Sequence, residues 1–189
     1  MCPEALANPF ADLCGAKKGY KAPDMDLIVS ALGVAAWRGR QFACALGEGG
    51  VTSEKFEGDL ATPIGHFPLR YVLYRPDRIS VPNTVLPVVP LTPLDGWCDD
   101  PADRRYNRLV CQPYSGSFEL LWRRDEIYDL IVVLGYNDAP VVAGRGSAIF
   151  LHVARPNLTP TLGCVALRRD DLLTVLAECE PDTLLRVGN

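Results

Sequence analysis

The sequence predicts a mainly β domain, a sandwich or barrel, with a short C-terminal helix and a proline-rich capping insertion. Three observations carry that reading. Apolar residues come in short runs that alternate between two faces. Sixteen glycines and sixteen prolines punctuate those runs, as expected of short strands joined by many turns. Four of the prolines, Pro82, Pro87, Pro90 and Pro93, fall in one stretch. A length of 189 residues suits one domain with an insertion, and 48% hydrophobic against 22% charged residues is enough to build a core.

Taken in order, residues 1–24 show no period and read as a loosely ordered extension, with the domain proper at 25–189. They lack a basic start followed by an apolar stretch, so they do not read as a secretory signal. Residues 26–46 read as a hairpin with strands at 27–32 and 41–46, and Trp37, Arg38, Gly39 and Arg40 near its turn. Residues 47–50, Gly-Glu-Gly-Gly, read as a flexible loop. A strand follows at 66–74, with His66 as a surface residue. Prolines deny the stretch 82–113 regular helix and central-strand pairing. It reads as an extended cap carrying Trp97, Tyr106 and Asn107. Strands follow at 118–122 and 130–134, the second wholly apolar and therefore central. Asp170 is placed as the N-cap of a helix whose Leu172, Val175, Leu176 and Cys179 share a face. That helix stops before Pro181, and 184–187 closes the chain as a strand.

The chemistry concentrates in 148–154 and 163–167. In the first piece Ala148, Phe150 and His152 share one face, and Ile149, Leu151 and Val153 the other. In the second, Cys164 lies on the face of Ala166. The chain has only two histidines, so one inside an apolar strand is an unusual choice. A thiolate is the nucleophilic form of cysteine, and a neighbouring imidazole can take its proton. The same pattern also fits a small buried cysteine and a satisfied core histidine. Seven cysteines include no Cys-x-x-Cys pair, and Asp99, Asp100 and Asp103 do not follow a calcium-loop spacing, so no metal and no cofactor is expected. Cys98 and Cys111 flank one loop and could bridge. A net charge of −4 argues against a nucleic-acid surface. No apolar run approaches the ~20 residues that span a bilayer.

His152, Thr161, Leu162, Gly163 and Cys164 resemble the His…Ser/Thr-His-Gly-Cys signature of the YkuD-type L,D-transpeptidases, cysteine enzymes that cross-link peptidoglycan. Thr62, Pro63, Gly65 and Phe67 resemble that family's Thr-Pro-x-Gly-x-Phe stretch. Leu162 stands where a second histidine is frequent, the spacer is shorter, and Ala166 and Leu167 replace polar residues. The resemblance implies that the fold is YkuD-like and that Cys164 attacks a stem-peptide carbonyl to form a thioester, with His152 as acid and base. It places the oxyanion at backbone N–H groups around Gly163 and Cys164, with Thr161 orienting the imidazole. Arg155, Arg168 and Arg169 flank the two pieces and could meet substrate carboxylates, with Tyr136, Asn137 and Trp97 as further substrate contacts. The implied partners are donor and acceptor stem peptides, with a carbapenem-type β-lactam as inhibitor. The implied place is the periplasm or cell wall of a bacterium. A hydrolase on the same fold, or a non-catalytic wall-binding module, would use the same residues differently.

Overall fold

Eight strands close into a ring. The computed structural model describes residues 25–188, so the reading of 1–24 lies outside the described residues. The first strands are β1 (Leu27–Ser30), β2 (Val34–Trp37) and β3 (Arg40–Ala45), followed by the short parallel pair β4 (Val51–Thr52) and β5 (Thr62–Pro63). Next come β6 (Gly65–Tyr74), β7 (Val88–Pro90), β8 (Asp95–Cys98), β9 (Leu109–Cys111) and β10 (Phe118–Leu120). The chain ends with β11 (Leu130–Leu134), β12 (Phe150–Val153), β13 (Val165–Leu167), helix α1 (Arg169–Glu178) and β14 (Leu184–Gly188). Neighbours run β11, β12, β13, β3, β2, β1, β14, β6, and β6 pairs back onto β11. The ten residues of β6 make closure possible. Gly65 to Pro68 pair with β14, while Leu69 to Tyr74 pair with β11.

Alternation along these strands sorts side chains into two cores. Leu130, Val132, Leu151, Val153, Val165 and Leu167 point inward with Leu27, Val29 and Leu185, and Leu172, Val175 and Leu176 of α1 pack among them. Ile131, Val133, Phe150 and Cys164 point outward, under Leu91, Trp97, Leu121 and Tyr128. Strand β11 is covered on both faces, which is why all five of its residues are apolar and buried. The outer cover is a three-stranded sheet in the order β10, β8, β9.

The structure corrects several expectations. The first hairpin is a three-stranded meander, because the small residues Ala35 and Ala36 hide a strand between Gly33 and Gly39. Residues 47–50 are a pinned turn, with the Gly47 N–H on Thr62 Oγ1 and the Gly49 N–H on Leu60 O. The stretch 82–113 is partly regular. Proline confines β7 to an edge beside β6, while β8 and β9 pair as a hairpin. Cys98 is a free buried thiol, so it makes no bridge to Cys111. Arg168, not Asp170, is the N-cap of α1, and no side chain caps it. Asp170 and Asp171 sit in the first turn instead, where the helix dipole favours negative charge. The helix start is tied down by Arg169, which bonds the buried Asp129 at 2.8 Å while Arg78 takes its other oxygen at 2.8 Å.

Candidate active site

Parallel pairing of β12 with β13 sets His152 opposite Ala166. Cys164 lies two residues before Ala166, so period-two alternation puts its thiol on the same outer face as His152. The elbow before it depends on Gly163, whose φ is +136°. A Cβ there would also meet Ala61 O at 3.0 Å. Thr161 closes the elbow: its hydroxyl accepts from the Gly163 N–H at 3.1 Å and donates to Cys164 O at 2.7 Å.

The thiol is buried. Its S–H donates to Ala148 O at 3.1 Å, and its sulfur accepts from the Phe150 N–H at 3.3 Å. Burial, helped by the charge of Glu119, pushes the Cys164 thiol up to about 12, against the pull of the Phe150 N–H and Lys55. His152 is also buried, and burial takes its imidazole down to about 4. Its Nδ1 lies 2.9 Å from Val153 O. A carbonyl only accepts, so Nδ1 carries the ring proton and Nε2 is left as the basic nitrogen. The Tyr128 ring stands edge-on to the imidazole, centroids 5.3 Å apart. Thus Val153, rather than Thr161, orients the histidine. Among the described residues no hydrogen bond joins Cys164 to His152. The site thus holds a neutral thiol and a neutral imidazole on one face of the sheet, two residues apart in register.

A family model for the L,D-transpeptidase catalytic domain (YkuD) matches residues 28–187. The chain belongs to that family. The mainly β ring, with one short helix among the described residues, is the fold expected of such a domain. No curated protein and no solved structure matches the chain. L,D-transpeptidase domains act on peptidoglycan peptides at the cell wall, and no helix among the described residues is long and apolar enough to cross a membrane.

The other residues singled out in the sequence take different places in this L,D-transpeptidase domain. Arg155 and Arg168 line an open groove of about 590 Å³ just beyond His152, together with Asp125, Ile127 and Val153. Arg155 is exposed and 3.7 Å from Asp125. Tyr136 and Asn137 lie at the opposite end, past β11. The Tyr136 hydroxyl bonds Arg145 O, and the Asn137 amide clasps its own loop through Val142 and Gly146. Trp97 is only 5% exposed and packs edge-on to Phe150 at 5.0 Å. Its indole N–H goes to Asn107 Oδ1 at 2.8 Å, so it faces the protein rather than solvent.

Sequence reasoning named Asn107 only as a residue of the cap, and missed two further participants, Glu119 and Lys55. Asn107 accepts from Trp97 and the Ala148 N–H and donates to the Tyr136 and Asn137 carbonyls, which locks the cover to the thiol strand. Glu119, on β10, accepts from Tyr128 at 2.6 Å and is itself raised by burial. Lys55 lies buried against Asp59 near Gly163. A carboxylate in the apolar run 118–122 was the available signal for Glu119.

The buried imidazole makes stability depend on pH. With a folded pKa of about 4 against about 6.5 unfolded, the unfolded chain binds a proton that the folded one refuses. Stability is therefore full above about pH 6.5 and falls as the pH drops towards 4, by about 3 kcal/mol. Urea unfolding of the parent and of His152→Gln between pH 7 and pH 4.5 checks this. The parent is expected to lose more stability than the variant, and equal losses would contradict the buried neutral imidazole.

Proposed function

We propose that the protein is a peptidoglycan L,D-transpeptidase that forms stem-peptide cross-links through a Cys164 thioester, with His152 as acid and base. The observation that supports it best is the shared outer face of Cys164 and His152, with Nε2 left basic by the Nδ1–Val153 bond. In the first half-reaction the thiol turns from Ala148 O and its proton passes to Nε2. Sulfur attacks the donor carbonyl, and the tetrahedral intermediate collapses as the imidazolium returns the proton to the leaving amine. In the second half an acceptor amine attacks the thioester and gives its proton to His152. The tetrahedral intermediate collapses with cleavage of the C–S bond, and the imidazolium returns the proton to the departing sulfur. The Gly163 N–H, now on Thr161 Oγ1, becomes an oxyanion donor when the hydroxyl yields it. Arg155 and Arg168 in the adjoining groove suit stem-peptide carboxylates. The place of action is then the periplasm or wall of a bacterium.

The cover formed by β8, β9 and β10, within the stretch 82–113 and its continuation, must lift for substrate to reach the buried sulfur. We assign it the choice between transfer and hydrolysis. Water at about 55 M outcompetes an acceptor amine unless it is excluded and the amine is held in place. The experiment is incubation with purified disaccharide-tetrapeptide muropeptides, with products read by chromatography and mass. Cross-linked dimer identifies the transpeptidase. Shortened stems with no dimer at any acceptor concentration identify a hydrolase, and no product at all leaves a binding module. In Trp97→Ala the ratio of hydrolysed stem to dimer is expected to rise, while Cys164 reacts at least as fast with a small alkylating reagent. An unchanged ratio would reduce the cover to a surface insertion.

A further inference from the structure

Behind Gly163 lies a buried ion pair that plays no part in the steps above. Lys55 leaves the turn between β4 and β5, and both it and Asp59 are 6% exposed at their side chains. Its stem passes beside Gly146, where a Cβ would meet Lys55 Cε at 3.0 Å and Cγ at 3.1 Å. It ends near Gly163, where a Cβ would stand 3.6 Å from Nζ. Two glycines with φ of +95° and +136° thus make room for one lysine. Asp59 is itself fixed: the Phe56 N–H donates to Oδ2 at 3.0 Å and the Ala61 N–H to Oδ1 at 2.9 Å. The ammonium gives one N–H to Asp59 Oδ1 and one to Phe56 O at 3.2 Å. An ammonium has three donors, and these bonds use two.

Burying a lysine is costly unless it is paired, and apolar side chains of similar volume would fill the same space at no such cost. The charges around Cys164 suggest what the lysine does. Glu119 approaches from β10 with Tyr128 bonded to it. His152 is neutral on β12. Lys55 is thus a positive charge on the elbow side of a thiol whose charged neighbour on the other side is Glu119.

We propose that Lys55, aimed by Asp59, is a positioning residue whose ammonium stabilises the Cys164 thiolate. It acts when the S–H proton leaves for His152 Nε2 and the electron pair stays on sulfur. This rests on Cys164 being the nucleophile, but its test needs no peptidoglycan, so it fails separately from the transpeptidase reading.

The test compares the parent, Lys55→Met and the double variant Lys55→Met/Asp59→Asn. The rate of iodoacetamide alkylation at Cys164 is followed against pH by peptide mass spectrometry, with Tm measured alongside. The single variant leaves Asp59 buried and unpaired, so its Tm falls. The double variant buries no unpaired charge, so Tm recovers. A purely structural pair would then give the parent's alkylation rate back as well. The expected result is alkylation of Cys164 roughly tenfold slower in both variants at each pH between 7 and 10. A double variant that alkylates at the parent's rate across that range, or a Cys164 that does not alkylate in the parent at any of those pH values, overturns the proposal.

Discussion

Cys164→Ala is expected to fold as the parent does and to take no adduct from a carbapenem-type β-lactam, whereas the parent gains one drug mass on Cys164. The loss is complete because the other free cysteines among the described residues, Cys44, Cys98 and Cys179, are buried elsewhere. Folding survives because removing one buried sulfur costs about 1 kcal/mol. Two backbone groups lose a partner, Ala148 O and the Phe150 N–H, and each adds to that cost. Acylation of the parent is expected to be slow, because the sulfur lies under Trp97 and Phe150 and its proton is held by a carbonyl. Intact-mass analysis of both proteins reads the result. An adduct on the Cys164→Ala protein would rule out Cys164 as the nucleophile.

His152→Ala is expected to slow acylation of Cys164 by about 10²–10⁴-fold near neutral pH, the usual worth of a positioned acid–base group. The pH dependence makes the prediction sharper than the magnitude. A base is needed only while the thiol is protonated, and burial holds this thiol protonated up to about 12. The defect is therefore expected to shrink steadily as the pH rises above about 9, where hydroxide takes over the proton. A merely structural histidine would give a defect that does not shrink with pH, or grows as the fold weakens. Single-turnover acylation of parent and variant between pH 6 and pH 10 separates the two.

Much of this arrangement was readable from the residues. The alternation in 148–154 and 163–167 puts Cys164 and His152 on one face in the structure, because a strand's side-chain period is fixed. The wholly apolar run 130–134 is a strand buried on both faces, and 184–187 falls within β14. What escaped was non-local. Nothing near Trp97 says that its indole N–H meets Asn107, or that Asn107 also grips Ala148 and the Tyr136 turn. The prolines of 82–113 suggested an irregular cap and hid β8 and β9, which avoid proline altogether. Lys55 gave no signal in the sequence, because the glycines that admit its stem belong to distant loops. Asp170 looked like a cap because aspartate favours that position, but the cap lies two residues earlier, at Arg168, and Asp170 contributes through its charge in the first turn.

The central claim is that a stem peptide becomes covalently attached to Cys164. The most direct measurement is rapid quench and intact-mass analysis of the protein mixed with a disaccharide-tetrapeptide donor and no acceptor amine, followed by peptide mapping. One added acyl group is expected, located at Cys164, absent in Cys164→Ala and discharged when an acceptor stem is added. Turnover of the donor with no acyl-protein at any time, or an acyl group mapped to another residue, would contradict it.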